Sequence, residues 1–530
     1  MFKFAGTNSK LDSVQTLIPK PEPIQTLELD IIAMICEELQ FGALMAFDRK
    51  WRSSDDLACR KGLMSFGLSS KAFMNTAFNV LWRALGSVEP LLSVLPETTV
   101  VDGKKMLVKQ IAPASWDRLR FYTSRVQKFD QILLGEEAEE AGIHDSVYAR
   151  LGQMQPLFPA LKEFHPMPSI SFSNSFMFFL SSTISAASLP ALSSMEDFPD
   201  GTDFGPSLAL LAWKVPGIQN LHLSGGARYS GLGASLTCFS DLQELEVLRL
   251  PHYDADFISS VASLKNLSKL TLTLPSTVPL NLANVKEGFP SVKTMRISGS
   301  PGEVHKLLKL APSSVLNELR LTCDLDKASW EVNRAGMPDL LKGLERFSSS
   351  LASLKISTVS DSELNLADAQ FLWFLFEPLL RLKDLRELSY DLPLFLTGQR
   401  TAEIAAAWPQ METLTFTSET WGKGIPSIES LAHFVEHCPK LKTLEYPIQL
   451  QFGDDPPLSP PVPTLSMHPL QTFRCIVDDD VEDPAVVALH LYQIFPGLKW
   501  ADGPGNKWGE VQSILDAFQF LSKQNRQISA

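Results

Sequence analysis

A short phrase, Leu-x-x-Leu-x-Leu with conservative swaps, recurs ten times in the last two thirds of the chain. Its clearest copies are Leu245-x-x-Leu248-x-Leu250 and Leu267-x-x-Leu270-x-Leu272. The strand anchors read from it are Leu221, Leu248, Leu270, Met295, Leu319, Leu354, Leu388, Leu414, Leu444 and Phe473, spaced 22 to 35 residues apart by subtraction. Alternate residues of a strand point to one face, so each Leu-x-Leu sends two side chains into a core. The leucine three positions earlier closes the turn. A repeat this short cannot bury its apolar face alone, so successive copies must stack into a solenoid.

The period and phrase are those of leucine-rich repeats. The expected fold is therefore α/β: a curved parallel sheet with helices on the convex side, preceded by a small helical domain. Segments such as Gly302–Leu310, Leu366–Leu380 and Ile428–His437 carry helical apolar spacing and are expected on the convex side. The expected organisation is a mobile arm over 1–25, a helical domain over 26–95, a linker or N-terminal cap over 96–155, the solenoid over 156–502 and a C-terminal helix and tail over 503–530. Prolines 456, 457, 460, 461 and 463 predict a loop at 452–469.

The residue between the two strand leucines should face outward. Read down the anchors, that column is His222, Arg249, Thr271, Arg296, Arg320, Lys355, Ser389, Thr415, Glu445 and Arg474. Five of the ten are basic, in a chain of formal charge −13. The column therefore reads as a basic stripe suited to an acidic or phosphorylated partner segment, since arginine forks match such oxygens. Long charged side chains also discourage sheet aggregation, which is the plainer account of them.

The net charge argues against affinity for nucleic acid or anionic membrane by the whole protein. Hydrophobic residues make up 45% and charged residues 20%, as in a folded soluble chain. Six cysteines lie scattered with no C-x-x-C pair, which suggests reduced thiols in the cytoplasm or nucleus. The solid apolar core of the 169–192 stretch, Phe176 to Leu180, falls far short of the ~20 residues that span a bilayer.

Upstream of the ladder, Leu27, Ile31, Ile35 and Leu39 recur every four residues, as on one helical face. A charged insertion over 42–56 follows, then Leu68-Ser69-Ser70-Lys71-Ala72-Phe73, Ala77 and Leu81-Trp82-Arg83. This arrangement resembles an F-box, in particular those of mushroom-forming fungi, over about residues 26–95. Leu27-Glu28-Leu29-Asp30 stands where the family has Leu-Pro-x-Glu, and the insertion exceeds the family's helix connection. The resemblance implies that this segment docks a Skp-type adaptor of a cullin–RING ubiquitin ligase. Leu27, Leu29, Ile31, Ile35, Leu39, Leu68, Phe73, Leu81 and Trp82 would make that contact or pack behind it. The solenoid would then present a target protein. The alternative is a helical cap on a leucine-rich-repeat scaffold with no ligase association.

Sites of chemistry are not evident. There is no phosphate loop and no nucleophile elbow. His433 and His437 stand four apart beside Cys438, but the glutamate of H-E-x-x-H is missing and no third ligand suggests itself. No catalytic residue, metal or cofactor is expected, and the chain is read as a non-enzyme.

Overall fold

The protein is described by a computed structural model over residues 29–44, 55–130, 143–144, 146–166, 176–189, 203–224, 228–250, 256–275, 282, 285, 287–324, 330–359, 369–392, 394–417, 425–450, 468–477 and 481–529. The N-terminal arm, Leu27 of the helical domain and the prolines of 456–463 lie outside these residues, as do the side chains of Leu29 and Leu39. The chain divides into two compact units, Met1–Ala84 and Leu85–Ala530.

Among its described residues the first unit has three helices, α1 (Leu29–Leu44), α2 (Asp55–Ser69) and α3 (Lys71–Leu81). Ile32 and Cys36 of α1 meet Leu63 of α2 and Ala77 and Val80 of α3 in a small core, with Phe66, Phe73 and Leu81 packed against it. The Phe66 and Phe73 rings stack with centroids 4.7 Å apart. Ser70 starts α3 in extended conformation, its hydroxyl accepting from the Ala72 N–H, as an N-cap serine does. Gly67 lets α2 and α3 approach closely, for a Cβ there would stand 2.9 Å from that of Ala77. Arg83 forms a two-pronged ion pair with Glu37, one N–O distance being 2.9 Å.

Among the described residues the second unit is built on a 15-stranded sheet whose strands follow chain order. An antiparallel hairpin, Thr98–Val101 with Lys104–Leu107, stands apart from it. Asp102 and Gly103 turn the hairpin with φ of 51° and 77°, the left-handed pair that an Asp-Gly turn favours.

Described pairings from Lys128–Asp130 through Trp500–Asp502 are parallel. The inward anchors sit opposite one another along the stack and are buried, from Leu221 to Phe473. Register is set at each strand's entrance, where one carbonyl accepts two successive N–H groups of the next coil. The Gln219 carbonyl takes Gln243 and Glu244, Gln243 takes Ser268 and Lys269, and Lys293 takes Asn317 and Glu318. The pattern continues to Gln471, which takes Lys499 and Trp500. Burying these polar groups without partners would cost ~1–3 kcal/mol each, so the ladder resists slippage.

Helices or 3-10 turns cover the inward face. Pro301–Leu308, Ala369–Phe376 and Ile428–Leu431 followed by Ala432–His437 occupy the segments expected there. Aromatic rings cluster in two parts of the core. Phe129, Phe158, Phe164 and Phe179 cluster early, and Phe376, Tyr390, Trp408, Phe416 and Tyr446 late.

Parallel strands begin well before residue 156. Lys128–Asp130, inside the expected linker, pairs with Glu163–His165, and Ala186–Leu189 adds a rung that spells no leucine phrase. Small residues suffice at that rung because Phe164 and Leu221 flank Ala187 on the adjoining strands. At the other end, the helix Trp508–Ser529 closes the sheet. The Gln512 side chain accepts from the Ala501 N–H at 2.7 Å and donates to the Lys499 carbonyl at 3.2 Å. It thereby supplies the bonds that another strand would make, which protects an edge otherwise open to pairing.

Candidate protein-interaction surfaces

The outward face of the sheet is defined by register. The positions following the inward anchors run Asp130, His165, Ser188, His222, Glu246, Thr271, Arg296, Arg320, Lys355, Ser389, Thr415, Glu445, Arg474 and Asp502. His165 continues Glu163–His165 past Phe164, which pairs with Ala187.

One residue of the expected column is corrected. Leu245, not Leu248, pairs with Leu221 and Leu270, so Glu246 occupies the place expected for Arg249. Leu242-x-x-Leu245-x-Val247 and Leu245-x-x-Leu248-x-Leu250 overlap, and both satisfy the phrase. Pairing selects the first, which evens the repeat to 24 and 25 residues (245 − 221 and 270 − 245). Arg249 lies beyond the strand end in a left-handed turn, φ 53°.

The stripe therefore breaks into zones. Early strands carry Asp130, Glu163, Glu244 and Glu246 against Lys128, which lies 3.3 Å from Asp130 and 3.2 Å from Glu163. His165 and Lys128 beside Glu163 hold its carboxyl down to about 2, against the opposing effect of its burial. His165 Nδ1 is 2.6 Å from the Ser188 hydroxyl. His222 Nδ1 lies 3.9 Å from Glu246, and its Nε2 is buried with no hydrogen-bond partner among the described residues. Burial lowers the His222 pKa, Glu246 opposes the shift and His165 adds to it.

Arg296, Arg320 and Lys355 follow on three adjacent strands. Glu318 braces both arginines, its Oε1 lying 2.7 Å from Arg320 Nε and 3.7 Å from Arg296 Nη2. The next outward row in the same register is Ser298, Thr322 and Ser357. Arg474 is separated from Lys355 by the strands of Ser389, Thr415 and Glu445.

A second surface belongs to the helical unit. Because Ile32 and Cys36 face its core, Ile31 and Ile35 point outward, 44% and 38% exposed. Met34 at 67% completes an apolar stripe on α1, and Met64 at 43% and Leu68 at 64% form another on α2. Phe73 and Leu81 are half-buried against the core and Trp82 is half-buried as well. The stripe is a feature that spacing located only to within a helical turn, since four-residue recurrence does not say which neighbouring face is buried.

The histidines and the cysteine around residues 437–468 make local contacts. Cys438 is buried, its thiol 3.4 Å and 3.5 Å from the Ala405 and Trp408 carbonyls, and burial pushes it up to about 12. His468 Nε2 lies 2.9 Å from the Cys438 carbonyl. His437 sits 3.7 Å from Glu436. Among the described residues no group of three or more His, Cys, Asp or Glu could hold a metal ion. Nor, among them, is any helix long and apolar enough to cross a membrane.

A continuous parallel sheet of leucine-anchored coils with helices on one face is an α/β leucine-rich-repeat solenoid. The chain is similar to several solved structures. They include the leucine-rich repeat-containing protein LegL7 of Legionella pneumophila, at 14% identity over 49% of this chain and 84% of that one, TM-score 0.28. The Toll–Spatzle complex of Drosophila matches at 10% over 67% and 46%, TM-score 0.36. The TLR13–ssRNA13 complex matches at 11% over 63% and 51%, TM-score 0.28. No protein-family profile and no curated protein sequence matches the chain.

Proposed function

We propose that the protein is the substrate-recognition subunit of a cullin–RING ubiquitin ligase, acting in the cytoplasm or nucleus. The helical unit docks a Skp-type adaptor and the solenoid holds a target protein. The chain catalyses nothing itself, and its contribution is proximity. The observation that carries this reading is the apolar stripe of Ile31, Met34 and Ile35 on α1, with Met64 and Leu68 on α2. Exposed apolar patches of this kind mark interaction sites. Three of its residues, Ile31, Ile35 and Leu68, are among those through which an F-box-like segment would meet its adaptor.

The test is co-purification of a Skp-type adaptor with the full chain, alongside the triple variant Ile31→Asp, Ile35→Asp, Leu68→Asp. Adaptor capture by the parent chain and its loss in the variant, with an unchanged circular dichroism spectrum, is the expected result. A folded parent chain that captures no adaptor would instead assign the protein to interaction scaffolds outside the ligase system.

A further inference from the structure

We infer that the solenoid grips an anionic peptide segment laid across its middle strands, at Arg296, Arg320 and Lys355. This deepens the target-binding half of the proposed function and is independent of adaptor docking. Three features converge. The basic residues stand side by side on adjacent strands, about 4.8 Å apart per step, so the row spans about 10 Å. An extended peptide brings same-face side chains to about 7 Å, so two carboxylates two residues apart fall within the row.

Glu318 is already shared by two guanidinium groups. The Ser298, Thr322 and Ser357 row adds neutral hydroxyls beside the bases, with Thr322 and Ser357 Oγ atoms 3.2 Å apart. Arginine with flanking hydroxyls suits carboxylate or phosphate oxygens.

The zone is bounded. Glu246 lies two strands before Arg296 and Glu445 lies three after Lys355. Acidic groups on both sides repel an anion that strays along the face, so recognition is confined to the centre. The footprint excludes Arg249 and Arg474, which the uniform stripe had included.

Fluorescence anisotropy of the full chain with three labelled peptides tests this. One carries glutamates at alternate positions, one replaces them with phosphoserine and one with glutamine. The parent chain is expected to bind an anionic peptide at least tenfold tighter than the glutamine peptide, and less tightly as salt rises. Comparison of the two anionic peptides tells carboxylate from phosphate recognition. The variant Arg296→Gln, Arg320→Gln, Lys355→Gln should lose at least tenfold, whereas Arg249→Gln and Arg474→Gln should change binding less than twofold.

Equal binding of all three peptides, an unaffected triple variant, or an equal loss in Arg474→Gln would overturn the inference. The same triple variant should still capture adaptor. Loss of peptide binding alone therefore bears on this site, and loss of adaptor in the parent chain bears on the ligase reading.

Discussion

The sharpest consequence of the observed register concerns two leucines three residues apart. Leu245 is 1% exposed and inward, flanked by Leu221 and Leu270 on the adjoining strands. Leu248 ends the same strand on the outward face and is half-buried. Truncating a fully buried leucine to alanine removes its transfer energy and leaves a cavity, for a cost of about 2–5 kcal/mol. A half-buried leucine loses about half of the ~1.5–3 kcal/mol of full burial, or roughly 1 kcal/mol, with no closed cavity. The two variants should therefore differ by at least about 1–2 kcal/mol, or about 5- to 30-fold in the opening equilibrium.

Urea unfolding followed by circular dichroism gives the ranking. Amide exchange localises it, because repeat arrays can open in parts. In Leu245→Ala, exchange should quicken in the flanking strands Asn220–Ser224 and Lys269–Thr273. If Leu248→Ala proved the more damaging, the coil would be registered on Leu248. Arg249 would then return to the outward column, and the boundary drawn at Glu246 would be wrong.

Two further perturbations probe the ends of the sheet. Gln512→Leu strips both side-chain bonds from the last strand, leaving the Ala501 N–H without a partner, and should cost about 1–3 kcal/mol; an unchanged urea midpoint would show that the helix, not its glutamine, protects the edge. His222 has a folded pKa below its unfolded value, so the unfolded chain takes up more protons between the two. Its contribution to stability is present above about pH 6.5 and is lost as the pH falls through the folded value. His222→Gln should flatten the decline in urea midpoint between pH 7.5 and 5, while Glu246→Gln, removing the opposing carboxylate, should steepen it.

Much of the solenoid is legible because leucine spacing is a direct record of which residues must be inside. Leu270, Met295, Leu319, Leu354, Leu388, Leu414 and Leu444 all stand where the phrase puts them. The phrase fails where it is ambiguous or absent. At 242–250 two overlapping copies compete, and hydrogen bonding to the neighbouring coils selects one. At Ala186–Leu189 an alanine takes the inward anchor position between Phe164 and Leu221, so no local pattern marks the strand. The Asp102-Gly103 hairpin went unread, because its turn residues are informative only when the flanking strands are sought with them.

The sequence by itself determined that this chain stacks into coils, since periodic leucines leave a repeat no other way to bury them. It also marked the helical segment before the coils and most of the outward residues, because strand alternation follows from backbone geometry. Tertiary structure alone decided which charges become neighbours. Arg296, Arg320 and Lys355 lie 24 and 35 residues apart in sequence (320 − 296 and 355 − 320), yet stand on adjacent strands, while Glu246 displaces an arginine from their row. It likewise decided that Ile32 and Cys36, rather than Ile31 and Ile35, turn inward on α1. Register and helix rotation are fixed by contacts with other elements, and no local periodicity can supply them.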